Sequence, residues 1–286
     1  MKQLKDFIPL LQEKLEGPKG VTGVHTGIAK LDELTGGLQE SDLVLLAARP
    51  GVGKTSFALT VAANAAIDYG HKVAFFSLEY DGVQITQSIL CKRAQVDLNR
   101  FRNGDLDADE KQRWCAVADS VREAPIFFDY DANLDMAKLA CEARQLKSEG
   151  KLDLLVVDYL QLMQVGNEED RAVAIGNISH GLKILAKELK IPVIALAQLS
   201  RKVEEKGRDR PQLSDLRESG SIEQDADMVW FVERPFLHTH RDEDKHKAVL
   251  IVARNRNGQV QDIPMTFISE YVAFYGEAPS VEYDGW

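Results

Sequence analysis

No apolar run in the chain is long enough to span a membrane, and the N-terminus lacks the pattern of a signal peptide. The expectation is a soluble protein of the cytoplasm with no membrane partner. Cysteine is scarce, with Cys91, Cys115 and Cys141 making up all three. An odd count without metal-ligand spacing suits a reducing compartment, where a buried cysteine serves as a small hydrophobe. Positive charge is also short: 35 Lys and Arg face 45 Asp and Glu, for a net charge of −10. That balance argues against non-specific nucleic-acid binding by the surface as a whole, although a local basic surface can still exist. There is no internal repeat and no low-complexity tract. Against these absences stand 286 residues, 44% of them hydrophobic, which is enough for one large α/β domain and a small appendage.

The appendage is at the start. In "KQLKDFIPLLQEKLE", Leu4, Phe7, Ile8, Leu11 and Leu15 fall at helical spacing, with a possible kink at Pro9, and Gly17, Pro18 and Gly20 end the pattern. Such a helix either folds back on its own domain or packs on a neighbouring subunit. Beyond it, apolar runs alternate with helical periods. "DLVLLAA", "KVAFFSLE", "APIFFD", "LDLLVVD", "IPVIALA" and "MVWFVE" read as strands. Helices are expected over 56–70, 81–103, 107–122, 135–150 (behind Asn133) and 171–190. Strands apolar on both faces and separated by helices predict a mainly parallel sheet covered on both sides. "AVLIVAR", "DIPMTFI" and "YVAFY" follow too closely for intervening helices, so they predict antiparallel strands at the C-terminal edge.

The chemistry begins at "AARPGVGKTS". This string follows the first apolar strand and opens a helix. Gly51, Gly53, Lys54 and Thr55 match the phosphate-binding loop, with Ala48 where the general pattern has its first glycine. Small residues let backbone N–H groups face phosphate oxygens, and the helix adds its positive end. The cradle therefore spans Arg49, Pro50, Gly51, Val52, Gly53, Lys54, Thr55 and Ser56, with ATP and Mg²⁺ as its expected cofactors. Lys54 would reach the β- and γ-phosphates and the Thr55 hydroxyl would bind Mg²⁺. Asp158, ending "LLVVD", would support the metal. Glu79, ending "FFSLE", is the candidate base for the attacking water. Gln198, ending "ALAQ", could sense the γ-phosphate. Ligands of open α/β sheets bind at the carboxyl ends of the strands, so these groups are expected in one crevice.

Two stretches lie outside that pattern. "DLRESGSIEQDAD", residues 215–227, shows no regular period and reads as a loop leading into a core strand. "RPFLHTHRDEDKHK" carries His238, His240 and His246, and its charge suggests a flexible surface loop rather than a metal site.

In their order, "GVHTGIAKLDELTGGLQESDLVLLAARPGVGKT", "FFSLEY", "VVDYLQLM", "ALAQLSR", "DLRESGSIEQDAD" and "ARNRNG" resemble the replicative DNA helicases of the DnaB type. The resemblance runs from about Thr22 to the strand near Phe267. It implies a RecA-like P-loop NTPase core, a homohexameric ring with ATP sites between subunits, and unwinding of duplex DNA by translocation on a single strand. It also implies that Arg256 of "ARNRNG" reaches into a neighbour's site. Arg254 stands where the family more often has lysine, with the same charge and a different shape. Residues 1–20 match the linker helix that packs on a neighbouring subunit, and 21–286 the motor domain. The family's helical N-terminal domain has no counterpart here, so the chain reads as the C-terminal part of a longer protein or a natural short form. Primase and a helicase loader are further implied partners. Arg201, Arg217 and Gly220 are candidate contacts to DNA phosphates in the ring's channel, with Glu218 and Asp215 orienting them. Two alternatives remain at this point: a non-helicase ATPase of the RecA superfamily, or an assembly or loader protein controlled by ATP.

Overall fold

Alternation along the central strand organises the whole fold. Within β1 (Leu43–Ala48) every residue is buried. Val44, Leu46 and Ala48 pack into one hydrophobic core, whereas Leu43, Leu45 and Ala47 pack into the other. A period of two with both faces buried marks a sheet sandwiched between helical layers. These features come from a computed structural model that describes residues 3, 4, 8, 9, 20–164, 171–199, 210–219 and 222–276. Most of the expected linker helix lies outside the described residues.

Among the described residues, nine strands form one sheet in the order β3-β2-β4-β5-β1-β6-β7-β8-β9. The others are β2 (Val73–Ser77), β3 (Ile126–Asp129), β4 (Leu154–Asp158), β5 (Val193–Gln198), β6 (Met228–Glu233), β7 (Lys247–Asn255), β8 (Gln261–Ile268) and β9 (Ala273–Tyr275). The first six strands run parallel, and β7, β8 and β9 continue the sheet antiparallel. The expected fold class is therefore the observed one.

On one face lies helix Lys54–Ala63, continued by a π-helical turn at Asn64–Asp68. Its Phe57 is fully buried edge-on against Phe274 of β9, with ring centroids 5.7 Å apart. Truncating so buried a ring to alanine costs about 3–5 kcal/mol. On the other face, helices Met136–Ser148 and Arg171–Leu189 supply Leu139, Ala143, Ile178, Leu182 and Leu185 to the second core. The first of these is capped by Asp135, which accepts from the Lys138 N–H, and not by Asn133 as the sequence suggested. The region 81–122 resolves into three helices, Gly82–Ala94, Leu98–Asn103 and Ala108–Ser120, each opened by an aspartate cap. Cys91 is buried as expected of a small hydrophobe, but Cys115 and Cys141 are exposed.

Candidate active site

At Ala48 the central strand gives way to the phosphate loop. The loop turns through Gly51 at φ 77° and Gly53 at φ 106° before helix Lys54–Ala63 begins. The two glycines serve differently. A Cβ on Gly51 would meet open space, so its requirement is conformational. A Cβ on Gly53 would sit 3.0 Å from the Phe274 ring, so the late strand β9 also presses the loop into shape. The first amides of the helix have no partner within it, the condition that suits a helix start to an anion.

Asp158, at the end of β4, is fully buried beside this loop. Its Oδ2 accepts a hydrogen bond from Thr55 Oγ1 at 2.7 Å, and its Oδ1 lies 3.5 Å from Lys54 Nζ. Lys54 Nζ also sits 3.9 Å from the ring centroid of Tyr159. The Asp158–Tyr159 peptide is cis. Burial raises the Asp158 carboxyl above its ordinary value and lowers the Lys54 ammonium below its own. Each one's charge opposes the shift in the other, and Glu79 adds a second negative charge that favours the protonated lysine.

The cleft at this edge measures about 310 Å³ and is lined by Arg49, Lys54, Thr55, Glu79, Tyr80 and Gln198, among others. Lys54, Thr55, Glu79 and Gln198 thus line one crevice, with Asp158 bonded to Thr55 beside it. Tyr80 lies on its wall. Burial, then the charges of Glu79 and Asp158, and a hydrogen bond with Glu79 hold its hydroxyl above the usual phenol range. The backbone of Gln198 is clasped by Gln161. The Gln161 Oε1 accepts from Gln198 N, and its Nε2 donates to Gln198 O, both at 3.2 Å. Gln161 falls within "DYLQLM", yet nothing local in that string announces this contact.

The histidine segment departs from expectation. Residues Phe236–Thr239 form a short helix that brings His238 Nε2 within 3.4 Å of Arg49 Nη1. A guanidinium only donates, so Nε2 can take part in a hydrogen bond here only as the acceptor.

The family model described as the DnaB-like helicase C terminal domain matches residues 23–276. The chain belongs to this DnaB-like family. Among curated relatives, it is 39% identical to the replicative DNA helicase DnaB of Geobacillus stearothermophilus over 96% of this chain and 62% of the relative. It is 41% identical to the DnaB of Haemophilus influenzae over 94% of this chain and 58% of that relative. The chain therefore spans about 60% of the length of these relatives. Of solved structures, a DnaB-like replicative helicase described with its primase interactions matches with TM-score 0.90 and 32% identity, covering 96% of this chain and 68% of that one. A solved ATPase domain matches with TM-score 0.91, also at 32% identity, covering 99% of that chain. The family is one of ATP-binding, ATP-hydrolysing proteins.

In this DnaB-like domain Arg254 and Arg256 lie away from the cleft. Arg256 follows β7 and sits beside Asp227, which precedes β6. Asp227 Oδ2 also accepts from the Leu43 N–H at the start of β1. Arg256 is therefore at the amino edge of the sheet, and the phosphate loop is at the carboxyl edge. The six residues of β1 put roughly 15–20 Å between them. Arg254 Nη1 donates to the Glu223 carbonyl.

The stretch read as a loop holds two short helical turns, Leu213–Ser219 and Ile222–Asp225. Leu216, Ile222 and Ala226 are buried in the second core, and Asp215 caps its own turn by accepting from Gln212 N at 2.8 Å. Arg217 and Glu218 lie on the first turn, and their side chains are outside the described residues, as are Arg201 and Gly220 altogether. No helix among the described residues is long and apolar enough to cross a membrane.

Proposed function

We propose that the chain is the ATP-driven motor of a replicative DNA helicase. The observation that carries this reading is the division of the catalytic set between opposite edges of one sheet. Lys54, Thr55, Asp158, Glu79 and Gln198 gather at the carboxyl edge, while Arg256 stands 51% exposed at the amino edge. A single subunit holds both halves but cannot join them. A ring of copies can, with Arg256 of one subunit facing the phosphate loop of the next.

In the ring, the loop amides and Lys54 hold the β- and γ-phosphates of ATP. Glu79 takes the proton from the water that attacks the γ-phosphorus, and the bond to the ADP oxygen breaks. Lys54 and the neighbour's Arg256 balance the charge that spreads over the phosphate oxygens. The donors beside the loop suit Mg²⁺: the Thr55 hydroxyl as ligand and the buried Asp158 carboxylate as support, with Asp158 Oδ1 accepting no hydrogen bond. When bound, Mg²⁺ neutralises charge on the β- and γ-phosphates. Gln198, pinned by Gln161, registers the γ-phosphate. Arg254 stands near the finger as a second positive group.

Residues 1–20 serve as the linker arm and 21–286 as the motor, acting in the cytoplasm. Single-stranded DNA runs through the channel against Arg201, Arg217 and Gly220, with Glu218 orienting that surface. Phosphate contacts suit a motor that must hold any sequence. Primase and a loader complete the partners.

The test is ATPase activity with and without single-stranded DNA, together with strand displacement on a forked duplex. DNA-stimulated turnover with displacement supports the helicase. Turnover indifferent to DNA points to another RecA-superfamily ATPase, and binding without turnover points to an assembly or loader protein.

A further inference from the structure

The end of the stretch 215–227 holds both arginines of "ARNRNG" in place. Asp227 is buried, and its oxygens are shared among four groups. Its Oδ1 accepts from Arg256 Nη1 at 3.1 Å and its carbonyl oxygen from the Arg256 N–H at 2.9 Å. Its Oδ2 accepts from the Leu43 N–H at 2.8 Å and from Lys183 Nζ. Lys183 in turn donates to the Ser41 carbonyl at 2.7 Å. Two residues earlier, Asp225 accepts from Ser179 Oγ and lies 3.2 Å from His180 Nδ1. One residue before Gln224, the Glu223 carbonyl accepts from Arg254. Both arginines of "ARNRNG" are thus held by "EQDAD", and "EQDAD" is itself fastened to helix Arg171–Leu189.

We infer that Asp227 is the positioning residue of the arginine finger, and that it ties the finger's place to the segment carrying the candidate DNA contacts. This rests on the reading of Arg256 as a finger acting in trans.

An arginine 51% exposed at the end of a strand has a long side chain with many rotamers. A finger acts only when its guanidinium is already in place, since misplacement by about 1 Å can cost on the order of a hundredfold in rate. Asp227 fixes both ends of Arg256, backbone and guanidinium. Its own position is fixed by β1 through Leu43 and by the long helix through Lys183. A buried carboxylate is stable only when its oxygens are occupied, and here each is. The remaining exposure of Arg256 leaves its outer face available to a neighbour. Leu216, Ile222 and Ala226 share a core with Ile178 and Leu182 of the same helix that Lys183 belongs to.

The test uses the assembled protein with Asp227→Asn and, separately, Asp227→Glu. The second variant keeps the charge that Lys183 faces and displaces the carboxylate by one methylene, so a failure of Asp227→Asn to fold still leaves a measurable case. Both are expected to lower kcat for ATP by on the order of tenfold to a hundredfold, with KM for ATP within about twofold. Each variant keeps its own phosphate loop intact at the other edge. Mixed with Lys54→Ala subunits, which supply an intact finger, it should regain ATPase activity. A merely structural role for Asp227 would give no such rescue. Wild-type kcat in either folded variant, or a loss that mixing does not repair, overturns the inference. The underlying reading is tested separately by mixing Arg256→Ala with Lys54→Ala. Failure there removes the finger itself, while recovery there with unaffected Asp227 variants removes only the role of Asp227.

Discussion

Thr55 Oγ1 donates to Asp158 Oδ2 across 2.7 Å, joining the first turn of the phosphate-loop helix to the end of β4. In the proposed site this hydroxyl and carboxylate would together hold Mg²⁺ beside the phosphates. Asp158→Asn removes the negative charge and leaves the shape. Nucleotide affinity, titrated with and without Mg²⁺, should lose most of its dependence on the metal, and turnover should fall by at least about tenfold. Metal dependence equal to that of the wild type would place the cation elsewhere.

Lys54 and Glu79 share the cleft and should fail differently when substituted. In the proposed site Lys54→Ala removes a charge that would hold phosphate, so both nucleotide affinity and turnover should weaken. Glu79→Gln keeps size and loses the proton acceptor. ATP should still bind, while single-turnover hydrolysis falls by about a hundredfold or more. Full hydrolysis in Glu79→Gln would take Glu79 out of the catalytic step.

The His238–Arg49 contact calls for an acceptor at Nε2. His238→Gln preserves an acceptor and should change little. His238→Ala should raise KM for ATP about fivefold, the worth of a hydrogen bond of about 1 kcal/mol, with kcat unchanged. Equal kinetics in the two variants would show that Arg49 needs no such partner.

Asp42 lies near the Asp227 cluster. Burial and then the charge of Asp227 raise its carboxyl from 3.8 to about 6, against the pull of Lys183 and Arg256. The folded protein therefore binds this proton more tightly than the unfolded chain does. The stability it contributes is fully present below pH 3.8 and is lost as pH rises through about 6. Asp42→Asn should melt higher than the wild type at pH 8, and the gap should shrink toward pH 5. A gap independent of pH would mean that Asp42 does not titrate in this range.

Much of this was readable from the chain because the signals are local. Apolar runs six residues long, strand-end polar groups and a glycine loop each declare themselves within a short window. The sheet, its parallel core, its antiparallel edge and the grouping of Lys54, Thr55, Glu79, Asp158 and Gln198 followed. What escaped depends on contacts between distant residues. Asp227 meets Leu43 184 positions away, and Arg49 meets His238 189 positions away. Neither pair has a sequence signature. The turns at Leu213–Ser219 and Ile222–Asp225 escaped for another reason. They are too short for a helical period to build up, and their burial comes from packing on helix Arg171–Leu189. The cap at Asp135 escaped because Asp131, Asn133 and Asp135 all precede the helix and each can cap one.

Arg256 lies at the far edge of its own sheet from the phosphate loop, so the proposed ATP site is completed only between two copies of the chain. The most direct measurement is the ATPase rate of assemblies mixed from Lys54→Ala and Arg256→Ala subunits, each inactive alone. Some interfaces in the mixture pair an intact phosphate loop with an intact arginine, so activity should return in proportion to those interfaces. Mixed assemblies of verified composition that recover no activity at any ratio would contradict the account.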